Sequence, residues 1–153
     1  PQKVLKIIRD YEVPIRLIEL EVTESAALNQ ENQDNIVLSR IHDLGIRIAI
    51  DDFGMGHSSL LYLKHFPVST LKLDRVLSKD VVHSKVSFEI ITSIMDLCKA
   101  MKVDVVTEYV EDEIQLEILT RLGCSIFQGY YFSRPIKGNE CLAYIQKYNQ
   151  PAL

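Results

Sequence analysis

The chain is poor in cysteine: only Cys98, Cys124 and Cys141 occur, and no two of them form a CxxC pair. An odd count without that spacing argues against a disulfide framework or a zinc knuckle and reads as reduced thiols of the cytoplasm. No apolar run is long enough to span a bilayer, and no signal peptide opens the chain. The first residues read as the interior of a domain, so a membrane-anchored parent protein stays open. Positive charge is also scarce. The formal net charge is −4, whereas a broad DNA or RNA surface would be basic. That balance leaves room for a small anionic ligand reached through metal ions. No repeat, low-complexity tract or internal linker divides the chain. What remains is ordinary for one globular domain: 153 residues, 47% apolar and 25% charged, enough to enclose a real core.

Hydrophobic periodicity predicts strands and helices in alternation. Residues 1–11 form an amphipathic helix with Val4, Leu5, Ile7 and Ile8 apolar, and residues 16–22 alternate as a strand. A helix over 30–44 carries Ile36, Val37, Ile41 and Leu44 on one stripe and ends at Gly45. A strand over 46–51 follows, then a helix from Ser58 or Ser59 to Phe66, and a strand over 69–74. The long helix over 84–101 has Val86, Ile90, Ile91, Ile94, Leu97, Cys98 and Met101 apolar. A strand over 103–108, a helix over 112–122 ending at Gly123, a strand over 125–129 and a helix over 139–148 complete the chain. Alternation repeated five times implies an α/β fold, a parallel sheet with right-handed crossovers. Both a doubly wound open sheet and a (βα) barrel satisfy it.

Strand parity separates the two. In the strand over 69–74, Leu71 and Leu73 share one face while Thr70, Lys72 and Asp74 share the other. One polar residue recurs near the C-terminal end of every strand: Glu21, Asp51, Lys72, Glu108 and Gln128. Successive members are separated by about one βα unit. A doubly wound sheet buries both faces under helices, where a polar row is costly. A barrel lets one face converge at the C-terminal mouth, so the barrel is favoured.

Singly, each residue has a plain structural role open to it. Asp51 and Asp52 suit a turn before the next helix, and Thr23 with Glu24 suits a capping box. Lys72 suits a solvated charge on an edge strand, Glu108 and Glu111 suit helix-start acids, and Gln128 alone carries no signal. Together they are what a metal-assisted phosphoryl site needs. Carboxylates hold hard divalent cations such as magnesium or manganese. Two such cations clamp an in-line displacement at phosphorus, and a lysine holds the attacking water or a phosphate oxygen.

The stretches IELEVTES (18–25), IAIDDFGMGHSSLLYL (48–63), LKLDR (71–75), VVTEYVED (105–112) and IFQGYYFSRP (126–135) resemble the successive motifs of the EAL domain family, in order and over essentially the whole chain. That family comprises bacterial phosphodiesterases and receptors for cyclic di-GMP. The resemblance implies a modified TIM barrel, of which residues 1–153 would be the C-terminal part of a single domain, about strands four to eight. It implies two Mg2+ or Mn2+ ions and hydrolysis of cyclic di-GMP to linear pGpG. Position by position, Glu21 resembles a metal ligand, Asp51 the ligand bridging both ions and Asp52 a ligand of the second. Lys72 resembles the lysine that holds the nucleophilic water, Glu108 the glutamate that serves as general base or as a water-mediated metal contact, and Gln128 the glutamine near the metal-bound water. Glu24 resembles the brace of the loop after DDFG, and Asp74 and Glu111 resemble acidic positions with supporting roles.

Three departures accompany the resemblance. The EAL tripeptide with its glutamate ligand, and an asparagine ligand, belong to strands upstream of this chain. Met55 and His57 stand where the family has threonine and tyrosine, and Thr107 and Tyr109 stand where it has small residues. The expectation is therefore a cyclic di-GMP phosphodiesterase parent whose isolated 153-residue piece is inactive or weak. Its open edges are expected to dimerise or swap elements. The alternatives are a receptor that binds cyclic di-GMP without turnover, or an interaction module in which the acidic cluster is a remnant.

Overall fold

The computed structural model describes residues 2–28, 32–54, 63 and 66–148. Within them, β1 (Glu19–Thr23), β2 (Arg47–Phe53), β3 (Thr70–Leu73), β4 (Asp104–Thr107) and β5 (Ile126–Phe127) form one sheet. The order is β1-β2-β3-β4-β5 and every pairing is parallel. The helices are α1 (Gln2–Asp10), α2 (Glu24–Leu28), α3 (Asn32–Asp43), α4 (Arg75–Asp80), α5 (Lys85–Met101), α6 (Glu113–Arg121) and α7 (Gly138–Tyr148). Unbroken sequential order resolves the choice left by the sequence. A doubly wound sheet reverses its strand order at a switch point, whereas an arc of a TIM-like barrel does not.

The core lies between sheet and helices. Ile48, Ile50, Leu71 and Leu73 of the strands are buried in one cluster with Ile91, Ile94 and Cys98 of α5 and Leu119 of α6. Helix starts are set by short polar side chains, as capping chemistry requires. Ser84 Oγ accepts from Ser87 N at 3.1 Å to open α5, and Asp112 Oδ1 accepts from Gln115 N at 2.7 Å to open α6. Gly45, at φ +85, follows α3 and supplies the left-handed turn that leads into β2.

Several expected boundaries shift for local reasons. The strand expected from residue 16 starts at Glu19, because Pro14 leads into a 3-10 turn over Ile15–Leu17. Leu17 N donates to Pro14 O there at 2.9 Å. Among the described side chains of α3 the buried ones are Leu38 and Ile41, while Ile36, Val37 and, just beyond the helix, Leu44 are exposed. The helix presents an i, i+3 pair to the core instead of the wider stripe. Val86 and Ile90 of α5 are likewise exposed. β5 has two residues rather than five, since the chain turns at once, with Phe132 N donating to Gly129 O. Helix α4, six residues long, is too short to show a periodic signal in the sequence. The helix expected from Ser58 or Ser59, residue 30 of the preceding helix, and Met55 and His57 lie outside the described residues.

Four strands are tied together at their N-terminal ends. Arg47 of β2 donates to Glu19 of β1 at 3.2 Å, to Thr70 of β3 at 2.9 Å and to Asp104 of β4 at 2.6 Å. Thr70 Oγ1 in turn donates to Glu19. Arg47 and its two acids are partly exposed, so each pair is individually weak. Their common effect is to fix strand positions relative to one another.

Candidate functional site

The opposite ends of the same strands carry the polar row. Lys72 lies on central strand β3 and is 8% exposed, so it is not the solvated edge charge that its residue type suggests. Its Nζ is 3.0 Å from Glu21 Oε1 of β1, 2.9 Å from Asp51 Oδ1 of β2 and 3.1 Å from Glu108 Oε1 just beyond β4. Four of the five recurring polar residues therefore meet at one atom. Parallel pairing in consecutive order makes this possible, because residues near successive strand ends on the same face are neighbours.

One ammonium thus faces three carboxylates. Burial favours the neutral amine, but Asp51, Glu21 and Glu108 outweigh it and hold Lys72 well above the usual lysine range. Burial pushes the Glu108 carboxyl up, and Lys72 pulls it only part of the way back. A carboxyl raised from its ordinary range is better matched to proton transfer near neutrality than an exposed one.

The adjacent aspartates are separated by backbone geometry. The β2–β3 register shifts between Ile50 and Phe53, and Asp52 takes φ +57. This irregularity sends Asp51 to Lys72 and leaves Asp52 exposed. Desolvation and then the Asp51 charge push the Asp52 carboxyl up.

The donor chemistry suits a divalent cation, since every acid here offers hard oxygen ligands. Asp51 Oδ1 also fits: it is buried and has no hydrogen-bond partner. Lys72 Nζ stands 2.9 Å from it as its ion-pair partner. Among the described residues, however, no three His, Cys, Asp or Glu side chains are arranged as a ready metal site. Glu21 and Asp51 close on Lys72, and Asp52 turns away.

The remaining expected residues do different work. Asp74 is not part of the Lys72 cluster; its Oδ1 accepts from Val76 N at 2.8 Å and caps α4. Glu24 is 1% exposed, and its Oε2 accepts from Gly54 N at 2.9 Å across the chain. It does not close a capping box: Thr23 Oγ1 accepts from Ala26 N, and no acid occupies that third position. Glu24→Ala is therefore expected to cost about 1.5–3 kcal/mol in a urea titration, the range for hydrogen bonds to a charged group. An unchanged midpoint would show that the Phe53–Gly54 turn holds itself. Glu111 is exposed and is no helix-start acid, since Asp112 takes the cap.

Gln128 is placed by its backbone, which receives from Val110 N and donates to Thr107 O. Its side chain lines a cleft of about 920 Å³ together with Glu108, Glu111, Tyr109, Arg75 and Arg134. Tyr109 is the bulky residue that the sequence sets beside Glu108, whereas nothing in the sequence marks Arg75 or Arg134 as part of this cleft. Also unassigned was Gln115, a buried glutamine whose Nε2 donates to Ser78 O at 2.9 Å and Tyr109 O at 3.1 Å. Its Oε1 accepts from Glu111 N at 2.8 Å, so one side chain shapes the loop after β4. The signal available was a lone amide within the first turn of an otherwise apolar-faced helix.

Residues 1–135 match the family model described as EAL domain. The chain belongs to the EAL domain family. It is 44% identical over 126 residues to Signaling protein YkoW of Bacillus subtilis, covering 82% of this chain and 16% of that protein. The solved structure described as PaMucR phosphodiesterase, c-di-GMP complex, superposes with a TM-score of 0.86 at 36% identity, over 92% of this chain and 57% of that one. The Klebsiella pneumoniae BlrP1 manganese/cy-diGMP complex at pH 9.0 gives a TM-score of 0.84 at 30% identity, over 88% of this chain and 34% of that one. The EAL chain spans only 16–21% of the first curated relatives it matches.

Proposed function

We propose that residues 1–153 are the C-terminal part of a single EAL domain whose complete form hydrolyses one phosphodiester bond of cyclic di-GMP to give linear pGpG. The observation that carries this reading is the convergence of Glu21, Asp51 and Glu108 on Lys72 Nζ at about the mouth of a parallel barrel arc. Glu21, Asp51 and Asp52 are assigned to hold two divalent ions, magnesium or manganese, and the manganese in the BlrP1 complex supports that choice. When bound, such ions neutralise phosphate charge and lower the pKa of water. Lys72 orients the attacking water and offsets negative charge developing on phosphorus-bound oxygen. Glu108 takes the water proton, as its raised carboxyl suits. Gln128 orients the same water, Asp74 and Glu111 shape the loops, and Glu24 braces the turn after β2.

The 153-residue piece is expected to turn over weakly or not at all, because the rest of the barrel wall lies outside it. The open edges of β1 and β5 are assigned to that wall or, in the isolated piece, to a second copy of the chain. A second reading, a receptor that binds cyclic di-GMP without hydrolysis, is favoured by one observation: among the described residues the carboxylates close on Lys72 instead of forming a ready metal site. Incubating the parent protein with cyclic di-GMP and manganese separates the two. Appearance of pGpG is the expected result. Binding without pGpG supports the receptor, and neither binding nor product removes both.

A further inference from the structure

Tyr109 follows Glu108 and takes φ +57, a left-handed conformation that a bulky residue keeps only when its surroundings impose it. The neighbouring contacts do so: Gln115 Nε2 holds Tyr109 O, and Val110 N donates to Gln128 O. Glycine would adopt this backbone without strain, yet the position carries a large aromatic ring. That ring is 45% exposed and lines the cleft beside Glu108. Arg75 Cζ lies 6.0 Å from its centroid. Within the same cleft, Arg134 Cζ lies 4.6 Å from the Tyr130 centroid. What sets Tyr109 apart from the other exposed tyrosines is the combination of a left-handed backbone, a place beside Glu108 in the cleft and a guanidinium near its ring.

We propose that Tyr109, backed by Arg75, is a stacking platform that selects purine-bearing phosphodiesters at the mouth of the Lys72 site. The inference rests on the cyclic di-GMP reading of that site and names the residue that distinguishes the base. Tyrosine suits the task because it offers a rigid π-face at low entropic cost. An adjacent guanidinium favours a phosphate near the stacked base. Stacking on an aromatic face is sequence-tolerant but stronger for the larger base, so discrimination between purine and pyrimidine is the diagnostic property.

The test is calorimetric titration of the parent protein, in calcium, with cyclic di-GMP and with cyclic di-UMP. Calcium is chosen because a BlrP1 calcium/cy-diGMP complex exists. Tyr109→Gly is expected to weaken cyclic di-GMP binding about tenfold and cyclic di-UMP binding by less than about threefold. Tyr109→Phe, which keeps the ring, is expected to bind both within about twofold of the parent. The glycine variant should melt at or above the parent temperature because backbone strain is relieved. If it melts lower, Tyr109→Asn supplies the same readout, since asparagine tolerates the left-handed backbone. Unchanged cyclic di-GMP binding, or equal weakening for both ligands, overturns the platform alone. Failure of the parent itself to bind cyclic di-GMP overturns the reading of the site, and the platform falls with it.

Discussion

Replacing Lys72 by methionine is expected to lower turnover of the complete domain about 10²–10³-fold, the loss seen when a positioned charge stabiliser is removed. Stability of the chain should fall by about 1–3 kcal/mol, less than for a fully buried ion pair because water screens part of the cluster. The screening comes mainly from Glu21, which is half exposed, whereas Glu108 is buried. The pH dependence has a definite sign. Lys72 is held above the ordinary lysine range, so the part set by its own titration is present below about pH 10 and lost as pH rises through the folded value, while uptake of a proton by Glu108 diminishes the pair at low pH. The variant is therefore impaired across the neutral range. Without the cation, Glu108 loses the partner that draws its carboxyl down. A raised carboxyl binds protons in the folded state, so stability of the variant should increase as pH falls through the window between the folded and the unfolded carboxylate values. Chemical denaturation in EDTA at about pH 5 and about pH 7 checks this. The deficit relative to the parent should narrow at the lower pH; the same deficit at both would show that the three acids do not share one field.

Gly129→Ala is the second large effect expected. A Cβ at Gly129 would stand 2.1 Å from Val110 O, 2.4 Å from Val110 N and 2.7 Å from Val110 C. Those are backbone atoms, and a rotamer change cannot relieve them. Val110 is fully buried, with its N–H donated to Gln128 O and its carbonyl accepting from Tyr131 N. Relief requires the whole turn after β4 to move, carrying Glu108 and Tyr109 with it. A stability loss of about 3 kcal/mol is expected, at the upper end of overpacking costs, together with loss of nucleotide binding by the complete domain. Gly138 provides the control, since nothing lies within 4 Å of a Cβ built there. A denaturation midpoint that shifts equally for Gly129→Ala and Gly138→Ala would contradict the argument.

What the sequence disclosed was its periodic content. Alternation in ELEVT, RIAIDDF and TLKL put Glu21, Asp51 and Lys72 on one face, and the structure brings them to a common point. The parallel order followed from helix and strand alternating. The family motifs agreed with both. Features made by contacts between distant segments were not legible. No local rule signals that Arg47 would tie four strands together or that Gln115 would reach Ser78 and Tyr109. The β2 irregularity that parts Asp51 from Asp52 has no glycine to announce it. Asp74 could have been recognised as a helix cap, because it precedes Arg75 and Val76, but α4 is only six residues long and gives little periodic signal. Exposure of Ile36 and Val37 shows the reverse limit: apolar residues at helical spacing identify a helix without fixing which of them faces the core.

The two cations have a mechanical consequence. Arg47 rivets the strand starts and Lys72 the strand ends, and both span β1 to β4. Neither reaches β5, which is attached through two positions paired with β4 and through the backbone bonds of Gln128 to Thr107 and Val110. The sheet is thus a four-plank panel with a fifth slat fastened by backbone bonds alone. Gln128 is carried by that slat while Lys72 and its acids are carried by the panel, so the backbone bonds of Gln128 to Thr107 and Val110 set the gap between them.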